Sequence, residues 1–533
     1  MAFRGNVLPH LSDEQKREYL SQEQMMINLT NSDKDVITAF NKIPYFIIND
    51  ETEDSSEFNA EITKILRYYK IYLKGADFST EGTNGDYIPS ELKSRLCYTL
   101  INKEARFLFA QAPDITVTNK GSIDEATEEI KNNISVLDNL VKTILKKNNF
   151  EDILLRAAKD CFIGKRVAAM VNFNESYGVT ISFIPSTQFY FETQIDNPNK
   201  LSKFVSFQCI KNGLKLTDRR YFKKKYTLEN NGVFLEETIF DGSGNVIEEL
   251  TKRTKILLDE IPCCVFLNDG LLSDNDGESE VRLIYESESY FSKLSNADID
   301  AGRKSMNPIR YTVDMDAGST ENLSSSPGAF WDLATDQIRE KSSPQVGLLE
   351  PAMTYSTPLK TTLERLKNNA YDIVDVPNIN LETMRGSITT GKGMKAIYWS
   401  LIVRCQEKMK MWGPNLKKLI EIIIKGSFLY PNCIKNYTEN PLVQVGYEIV
   451  IEQNTPLPED EIEEKNMDLA EVNSNVMSKK AYMKKWRGLT DAEADEELRQ
   501  IALERQLLED SMFDIGQTVT SDTDGLNPLS EGI

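Results

Sequence analysis

Histidine is almost missing from this sequence: the single one, His10, sits in a polar N-terminal stretch that reads as a solvated arm. That removes Ser-His-Asp and Cys-His catalysis, which need an ordered imidazole in a pocket, and metal sites built from several histidines. The seven cysteines include no C-x-x-C pair and their number is odd. They read as reduced, buried thiols of an intracellular protein, not as a disulfide frame or a zinc site. No apolar run approaches the roughly 18–20 residues of a membrane span, and the strongest, around Leu419–Ile424, is interrupted by Glu421. The N-terminus lacks the apolar core of a secretory signal. Positive charge is also in deficit: the formal net charge of -20 argues against a protein that coats nucleic acid. It leaves open one that nucleic acid slides past.

What is present is a chain of 533 residues, enough for three or four domains, with 40% hydrophobic residues to pack them. Helices are predicted over Glu57–Lys74, Pro89–Gln111, Ile123–Lys147 and Phe150–Phe162 from apolar positions at helical spacing. The period then drops to two. Strands are predicted over Val167–Asn172, Val179–Ile184, Phe204–Ile210, Lys223–Leu228, Val233–Phe240, Val246–Leu250 and Cys263–Leu267, with a hairpin turn at Asn230-Asn231-Gly232. A long helix follows over Glu280–Lys304. An insert over 308–353 then carries strands at Ile309–Met315 and Val346–Leu349 around a Gly/Ser-rich loop and a short helical piece near Phe330–Ile338. A second long helix spans Thr357–Ile373, with a heptad-like stripe of Leu359, Leu363, Leu366, Ala370 and Ile373. A polar loop from Asp375 leads into a helix over Lys392–Lys425, which Gly413-Pro414 should kink or break. A strand at Leu442–Gln453, charged helices with a capping box at Thr490-x-x-Glu493, and a Gly/Ser/Asp/Thr-rich tail over 511–533, read as disordered, complete the chain.

Several motifs fall short of chemistry. Gly386-Ser387-Ile388-Thr389-Thr390-Gly391-Lys392-Gly393 has the glycine and lysine spacing of a phosphate-binding loop. Gly393 stands where a hydroxyl should reach Mg²⁺, and a polar segment replaces the buried strand. A nucleotide-binding ATPase centred on Gly386–Lys392 is therefore the alternative reading, a non-catalytic scaffold the third. Asp274-Asn275-Asp276-Gly277 lacks the acidic residue at position 272 that a calcium loop needs, and reads as a solvated turn. Lys223-Lys224-Lys225 reads as a charged strand edge that blocks unwanted pairing. Lys479, Lys480, Lys484, Lys485 and Arg487 cluster on a short helix just before an acidic one, which favours pairing with acidic neighbours over binding nucleic acid. Glu286, Glu288, Asp298 and Asp300 lie along the first long helix. A solvated face is their default reading, and a negative wall facing a channel the more interesting one.

The chain resembles the portal proteins of tailed bacteriophages, the head-to-tail connectors of long-tailed phages. The residues that carry the resemblance run from Val376-Pro377-Asn378 through Gly386 and Thr390-Gly391 to Met394-Lys395. Thr390 stands in place of a Ser, Gly393 of a small Ala and Met394 of a Leu. Leu73–Phe78 (LKGADF), Asn102–Phe109 (NKEARFLF) and Pro185–Phe191 support it. The resemblance implies an α+β, multi-domain portal fold with a mostly helical core, a β-rich wing, two stem helices flanking a small α/β clip, and a helical crown. It implies an arm over 1–40, a wing over 41–277, stem helices over 278–305 and 356–374, and a clip over 306–355. A tunnel loop over 375–391, a kinked helix returning to the wing over 392–454, a crown over 455–510 and a tail over 511–533 follow. The tunnel loop would face DNA with Asn378, Asn380, Glu382, Thr383, Arg385 and Lys392, touching phosphates without reading sequence. No catalysis and no cofactor or metal are implied. The implied partners are about eleven further copies in a ring, double-stranded DNA, the terminase large subunit, head completion and adaptor proteins, and the major capsid and scaffolding proteins, with no membrane. The implied place is the portal vertex of the virion, after assembly in the host cytoplasm, where DNA enters during packaging and leaves at ejection.

Overall fold

The structure is a computed structural model that describes residues 51, 55–78, 88–120, 127–211, 219–241, 244–270, 276–306, 309–315, 345–349, 353–379, 391–438, 442–454, 456, 461–491 and 493–504. The arm over 1–40, His10, the loop and helical piece of the insert, Asp274 and Asn275, and the tail over 511–533 lie outside this set. The chain divides into two compact units: Met1–Ile379 with Tyr398–Pro456, and Asn380–Ile397 with Leu457–Ile533.

The first unit is mixed α+β. In chain order its elements are α1 (Ser55–Lys74), α2 (Leu96–Phe109), β1 (Asp114–Asn119), α3 (Glu128–Lys147), α4 (Phe150–Gly164), β2 (Arg166–Asn174), β3 (Gly178–Pro185), β4 (Phe189–Thr193), β5 (Leu201–Lys211), β6 (Arg220–Glu229), β7 (Gly232–Asp241), β8 (Val246–Lys255), β9 (Cys263–Leu267), α5 (Glu280–Met306), β10 (Ile309–Val313), β11 (Gln345–Leu349) and α6 (Ser356–Ile373). α7 (Gly391–Ile397) belongs to the second unit. α8 (Trp399–Leu429), a short α9 (Pro431–Ile434) and β12 (Tyr447–Glu452) return to the first. The second unit continues with α10 (Glu461–Asn473), α11 (Lys479–Arg487) and a helix over 493–504.

The strands form small antiparallel sheets in the orders β3-β2-β9, β4-β5-β6-β7-β8, β1-β12 and β10-β11. β2 is the innermost strand, and its first six residues are all buried. Helix α8 covers this sheet. Trp412 of α8 is fully buried, with its ring 4.7 Å from Phe266 of β9 and 5.1 Å from Phe109 of α2. Each such aromatic contributes about 2–3 kcal/mol through removal from water. Gly426 of α8 meets the Phe173 ring so closely that a β-carbon would overlap it, so this contact between helix and sheet requires glycine.

Three expectations are corrected. Pro414 does not break the helix, because α8 runs through it from Trp399 to Leu429. Proline removes one N–H, but the space around Gly413 is open, and the Asn415 side-chain amide donates to the Met411 carbonyl at 3.2 Å. The interruption falls instead at Tyr398, whose ring stacks on Phe107 at 5.6 Å. Lys223, Lys224 and Lys225 lie on β6, a central strand, so they do not guard an edge. Lys223 and Lys225 bond Glu51, and Lys224 bonds Asn172 at 2.6 Å and Glu237 at 3.3 Å. Finally, residues 89–95 are not helical. α2 begins at Leu96, and the preceding segment is extended, for a reason found on the facing helix.

In the second unit, α10 ends with Asn475 in the left-handed region, φ 60°, and the Val476 N–H reaching back to the Glu471 carbonyl at 2.9 Å. The capping box forms: the Thr490 N–H donates to Glu493 at 2.9 Å, and the Glu493 N–H donates to the Thr490 hydroxyl at 3.4 Å. The basic cluster of α11 is occupied internally. Lys480 pairs with Asp495, Lys484 with Asp491, Lys485 with Asp468 and Arg487 with Glu497.

Candidate functional site

The polar loop after α6 is rooted by a helix stop. Asp375 adopts φ 52°, its N–H donates to the Asp372 carbonyl at 3.2 Å, and the Val376 N–H donates to the Tyr371 carbonyl at 3.1 Å. This pair of bonds satisfies the last carbonyls of the helix and turns the chain. Val374 and Val376 are buried on either side of the exposed Asp375, so the turn is pinned by apolar packing. Asn378 donates from its side-chain amide to Asn368 of α6 at 2.8 Å. It is exposed and lies beside the helix end. Asn380, Glu382, Thr383 and Arg385 lie outside the described residues. Lys392 falls in the first turn of α7, with its side chain likewise outside.

The four acidic candidates of α5 separate into two pairs. Glu286 and Asp298 are exposed. Glu288 is fully buried and is not a wall residue: one carboxylate oxygen accepts the Ala76 N–H at 3.0 Å and the other the Cys97 N–H at 2.7 Å. Asp300 is also turned inward, accepting the Ser90 N–H at 3.1 Å and the Ser90 hydroxyl at 2.7 Å. Between them, Ser292 accepts the Ser94 N–H at 3.0 Å. Asn296 accepts the Leu92 N–H at 2.8 Å and donates to the Leu92 carbonyl at 2.7 Å. Residues 288, 292, 296 and 300 thus form one stripe of α5 that holds the non-helical chain over 90–95 and the first turn of α2 at Cys97. Four helical residues rise about 6.0 Å and two extended residues about 6.7 Å, so each turn of helix meets alternate backbone amides. The amides of 90, 92 and 94 are spent on α5, and for that reason this stretch does not join α2. Burial pushes the Glu288 carboxyl up, and the hydrogen bonds from Cys97 and Ala76 offset part of the rise.

At its other end α5 enters a buried cluster of charges. Glu280, the first residue of α5, accepts from Arg404 Nη2 at 2.7 and 2.8 Å and from Lys408 Nζ at 2.6 Å. Glu104 of α2 accepts from Arg404 Nε at 2.8 Å and lies 3.2 Å from Lys408. Asn268 accepts from Lys408 at 2.6 Å and donates to Glu280 at 3.1 Å. Two carboxylates and two cations balance, which is what makes their burial tolerable. Burial raises the Glu280 carboxyl, but Lys408 and Arg404 outweigh it and hold the group at about 2. Glu104 goes the other way: burial and the charge of Glu280 push it up, and its second oxygen has no hydrogen-bond partner. Burial lowers Arg404 and Lys408, but both carboxylates reverse this and raise them above their ordinary values. Arg404 Nη1 also lies 3.7 Å from the Asp375 carboxylate, so the loop root touches the same guanidinium.

A family model described as phage portal protein, SPP1 Gp6-like, matches residues 50–508, most of the chain. The chain belongs to that family. No curated protein matches it. Portal proteins of this family are structural, non-enzymatic virion components for DNA packaging, so the Gly386–Lys392 spacing is not the centre of an ATPase. Among the described residues, no three His, Cys, Asp or Glu side chains converge to hold a metal ion. No helix among them is long and apolar enough to cross a membrane.

In this portal chain, sequence reasoning missed the charge cluster. Its members come from positions 104, 268, 280, 404 and 408, and nothing in their spacing joins them. One signal was available: Arg404 and Lys408 lie four apart on a helix whose neighbours Leu401, Cys405 and Trp412 are apolar and buried. Cations on an apolar face need buried acids opposite.

Proposed function

We propose that the chain forms a closed ring of about twelve copies at one capsid vertex and that double-stranded DNA passes through its centre during packaging and ejection. The match to the portal family over residues 50–508 carries this reading. It is supported by two long helices, α5 and α6, that flank an insert and are followed by a polar loop rooted at Asp375–Asn378. In this reading the wing is residues 41–277, the clip 306–355, the tunnel loop 375–391 and the crown 455–510. The clip would dock the terminase and later the head completion protein.

The wall of the channel is better drawn from α6 than from α5. One stripe of α5 holds the 90–97 segment, which leaves Glu286 and Asp298 as its exposed acids. On α6, Lys360, Glu364, Arg365, Asn368 and Asp372 are exposed together. A face of mixed sign binds phosphates weakly, because strong binding comes from clustered cations that release counterions. Twelve chains of -20 each bring a formal -240 (12 × 20) to the ring, and this field also opposes a tight grip on DNA. A conduit needs weak binding, since a tight grip would stall translocation.

Electron microscopy of the purified chain tests the ring directly: rings of about a dozen subunits are expected, and a persistent monomer in solution and in particles would overturn it. Capsids assembled with residues 380–390 deleted should still form, but should package DNA poorly.

A further inference from the structure

We infer that neighbouring copies are joined by a knob-into-groove contact: Ile299 of α5 seats in the groove between α5 and α6 of the next copy. This rests on the ring reading and names the surface that closes the ring.

Two sides of α5 are already taken. One carries the stripe through Asn296 that holds the chain over 90–97. Ser287 stands about 180° from Asn296 around the helix, and it bonds Asn369 of α6 at 3.0 Å, so α6 lies on the opposite side. Two flanks remain between them. On the first, Leu283, Ser287, Tyr290, Leu294, Ala297 and Ala301 follow the alternating four-three spacing of a coiled coil. Helix α6 covers this row only in part: Tyr290 is 62% exposed. Leu294, Ala297 and Ala301 form one wall of an open, mostly apolar groove of about 590 Å³, and Tyr355, Leu359 and Thr362 form the other. On the second flank Ser295, Ile299, Gly302 and Met306 repeat the same spacing. Ile299 is 39% exposed and Met306 84%. Ile299 stands about 160° from both Ala297 and Ala301, so the knob and the groove of one chain face apart and can meet only between copies.

The two flanks fit each other at equal height. Rotation about a ring axis leaves every residue at its own level, so helices that run along the axis meet in register. Ile299 then lies about 3 Å along the axis from both Ala297 and Ala301, over the hollow that these alanines leave, and Leu294 comes level with Ser295. Large side chains meet small ones, as interdigitating helices require. The charges agree as well. Exposed Arg95 lies between the residues held by Glu288 and Ser292, and exposed Glu91 between those held by Asn296 and Asp300. Glu286 and Lys293 follow in the same order along the rim of the first flank. Each is about 6–8 Å along the axis from its opposite charge, a gap that long side chains span. Gly302 adds an independent mark. A β-carbon there would stand in open space within the chain, so nothing inside the fold requires a glycine, which weakens a helix relative to alanine. Close approach of a neighbouring helix accounts for it.

The test is a pair of cysteines in the full chain, Ala297→Cys with Ile299→Cys, or Ile299→Cys with Ala301→Cys, oxidised with oxidised glutathione. The two thiols of one chain point apart and cannot join, so a bond between them links copies. A ladder of covalent multimers ending in the closed ring is expected on a denaturing gel without reductant, and it should be absent from wild type and from each single variant. Rings of the double variants seen by electron microscopy, with no ladder from either pair, would overturn the contact and leave the ring reading standing. Absence of rings from the wild-type chain would remove both. Gly302→Leu provides the second arm. It should leave the helical content by circular dichroism unchanged and cut ring formation at least about tenfold, because it overpacks a close contact between helices. Rings of Gly302→Leu at the wild-type protein concentration would also overturn the contact.

Discussion

The two ends of helix α5 solve the same problem in different ways. Each brings polar side chains into the protein. At the N-terminal end Glu280 enters a compact knot of full charges, balanced two against two with Glu104, Arg404 and Lys408. Toward the C-terminal end, Glu288, Ser292, Asn296 and Asp300 bind a neighbouring backbone through separate rungs. The knot is cooperative, because removing one member leaves its opposite buried and uncompensated. The seam is divisible, because each rung satisfies its own amide. Family membership gives this contrast a mechanical sense. The knot ties α2, α5, α8 and the loop root at one point, and the seam holds a strap that can be loosened locally.

The sharpest way to break the knot is Arg404→Met. It should cost about 3–5 kcal/mol by leaving two buried carboxylates facing one lysine, read as a lower urea midpoint. Acid distinguishes the two ends by sign. Glu280 is held at about 2, below its ordinary 4.5, so its stabilisation is complete above about pH 4.5 and is lost as pH falls toward 2. That difference is worth about 3 kcal/mol. Glu288 is raised, so its burial costs stability at neutral pH, and the cost fades as pH falls through the raised value. Denaturant titrations from pH 7 downward should therefore show wild type gaining on Glu288→Gln until about pH 4.5, and losing its lead over Glu280→Gln below about pH 4.5.

Asn296→Ala removes one rung and should cost about 1–2 kcal/mol. Hydrogen exchange should quicken at Leu92 while Ser90 and Ser94 remain protected. Equal exposure of all three amides would show that the seam is as cooperative as the knot. The smallest effect is expected at Asp375→Gly. It loses a long, half-exposed contact with Arg404, worth under about 1 kcal/mol. It also relieves a left-handed backbone that costs an ordinary residue about 1–2 kcal/mol. Thermal unfolding should be unchanged or slightly later.

The legible parts of the fold were those where one signal sufficed. Asn230-Asn231-Gly232 marked the β6–β7 hairpin, and Gly232 has φ 122°. The strands through Val167, Val179 and Val233 form where they were predicted, and Thr490 with Glu493 gave the cap. What was illegible involved two distant segments at once. The α5 stripe looks like a solvated face in sequence, because serine, asparagine and acids favour water unless a backbone lies opposite. The same contact made 89–95 look helical, since apolar Leu92 and Leu96 have the spacing of a helix that never forms there. β1 was missed because its partner, β12, is more than 300 positions away. Of the loop residues, Asn378 could be placed from the Val376-Pro377 stop, whereas Glu288 could not be told from Glu286 without knowing which way the helix is turned.

The α5 seam also contains its own length limit. Helix and strap behave as two rulers with unequal divisions, about 6.0 Å against 6.7 Å, and each step adds about 0.7 Å of slip. Three steps from Asp300 bring the slip to about 2 Å, more than the roughly 0.5 Å spread of hydrogen-bond distances, so side-chain length has to take it up. There the pattern changes: the longer Glu288 side chain takes the Cys97 amide at 2.7 Å and the Ala76 amide at 3.0 Å, beside the Leu96 backbone. Lengthening the extended segment would place new amides between helical turns, with no side chain in reach. Insertions in this family at that point should bulge outward and leave the grip no longer than before.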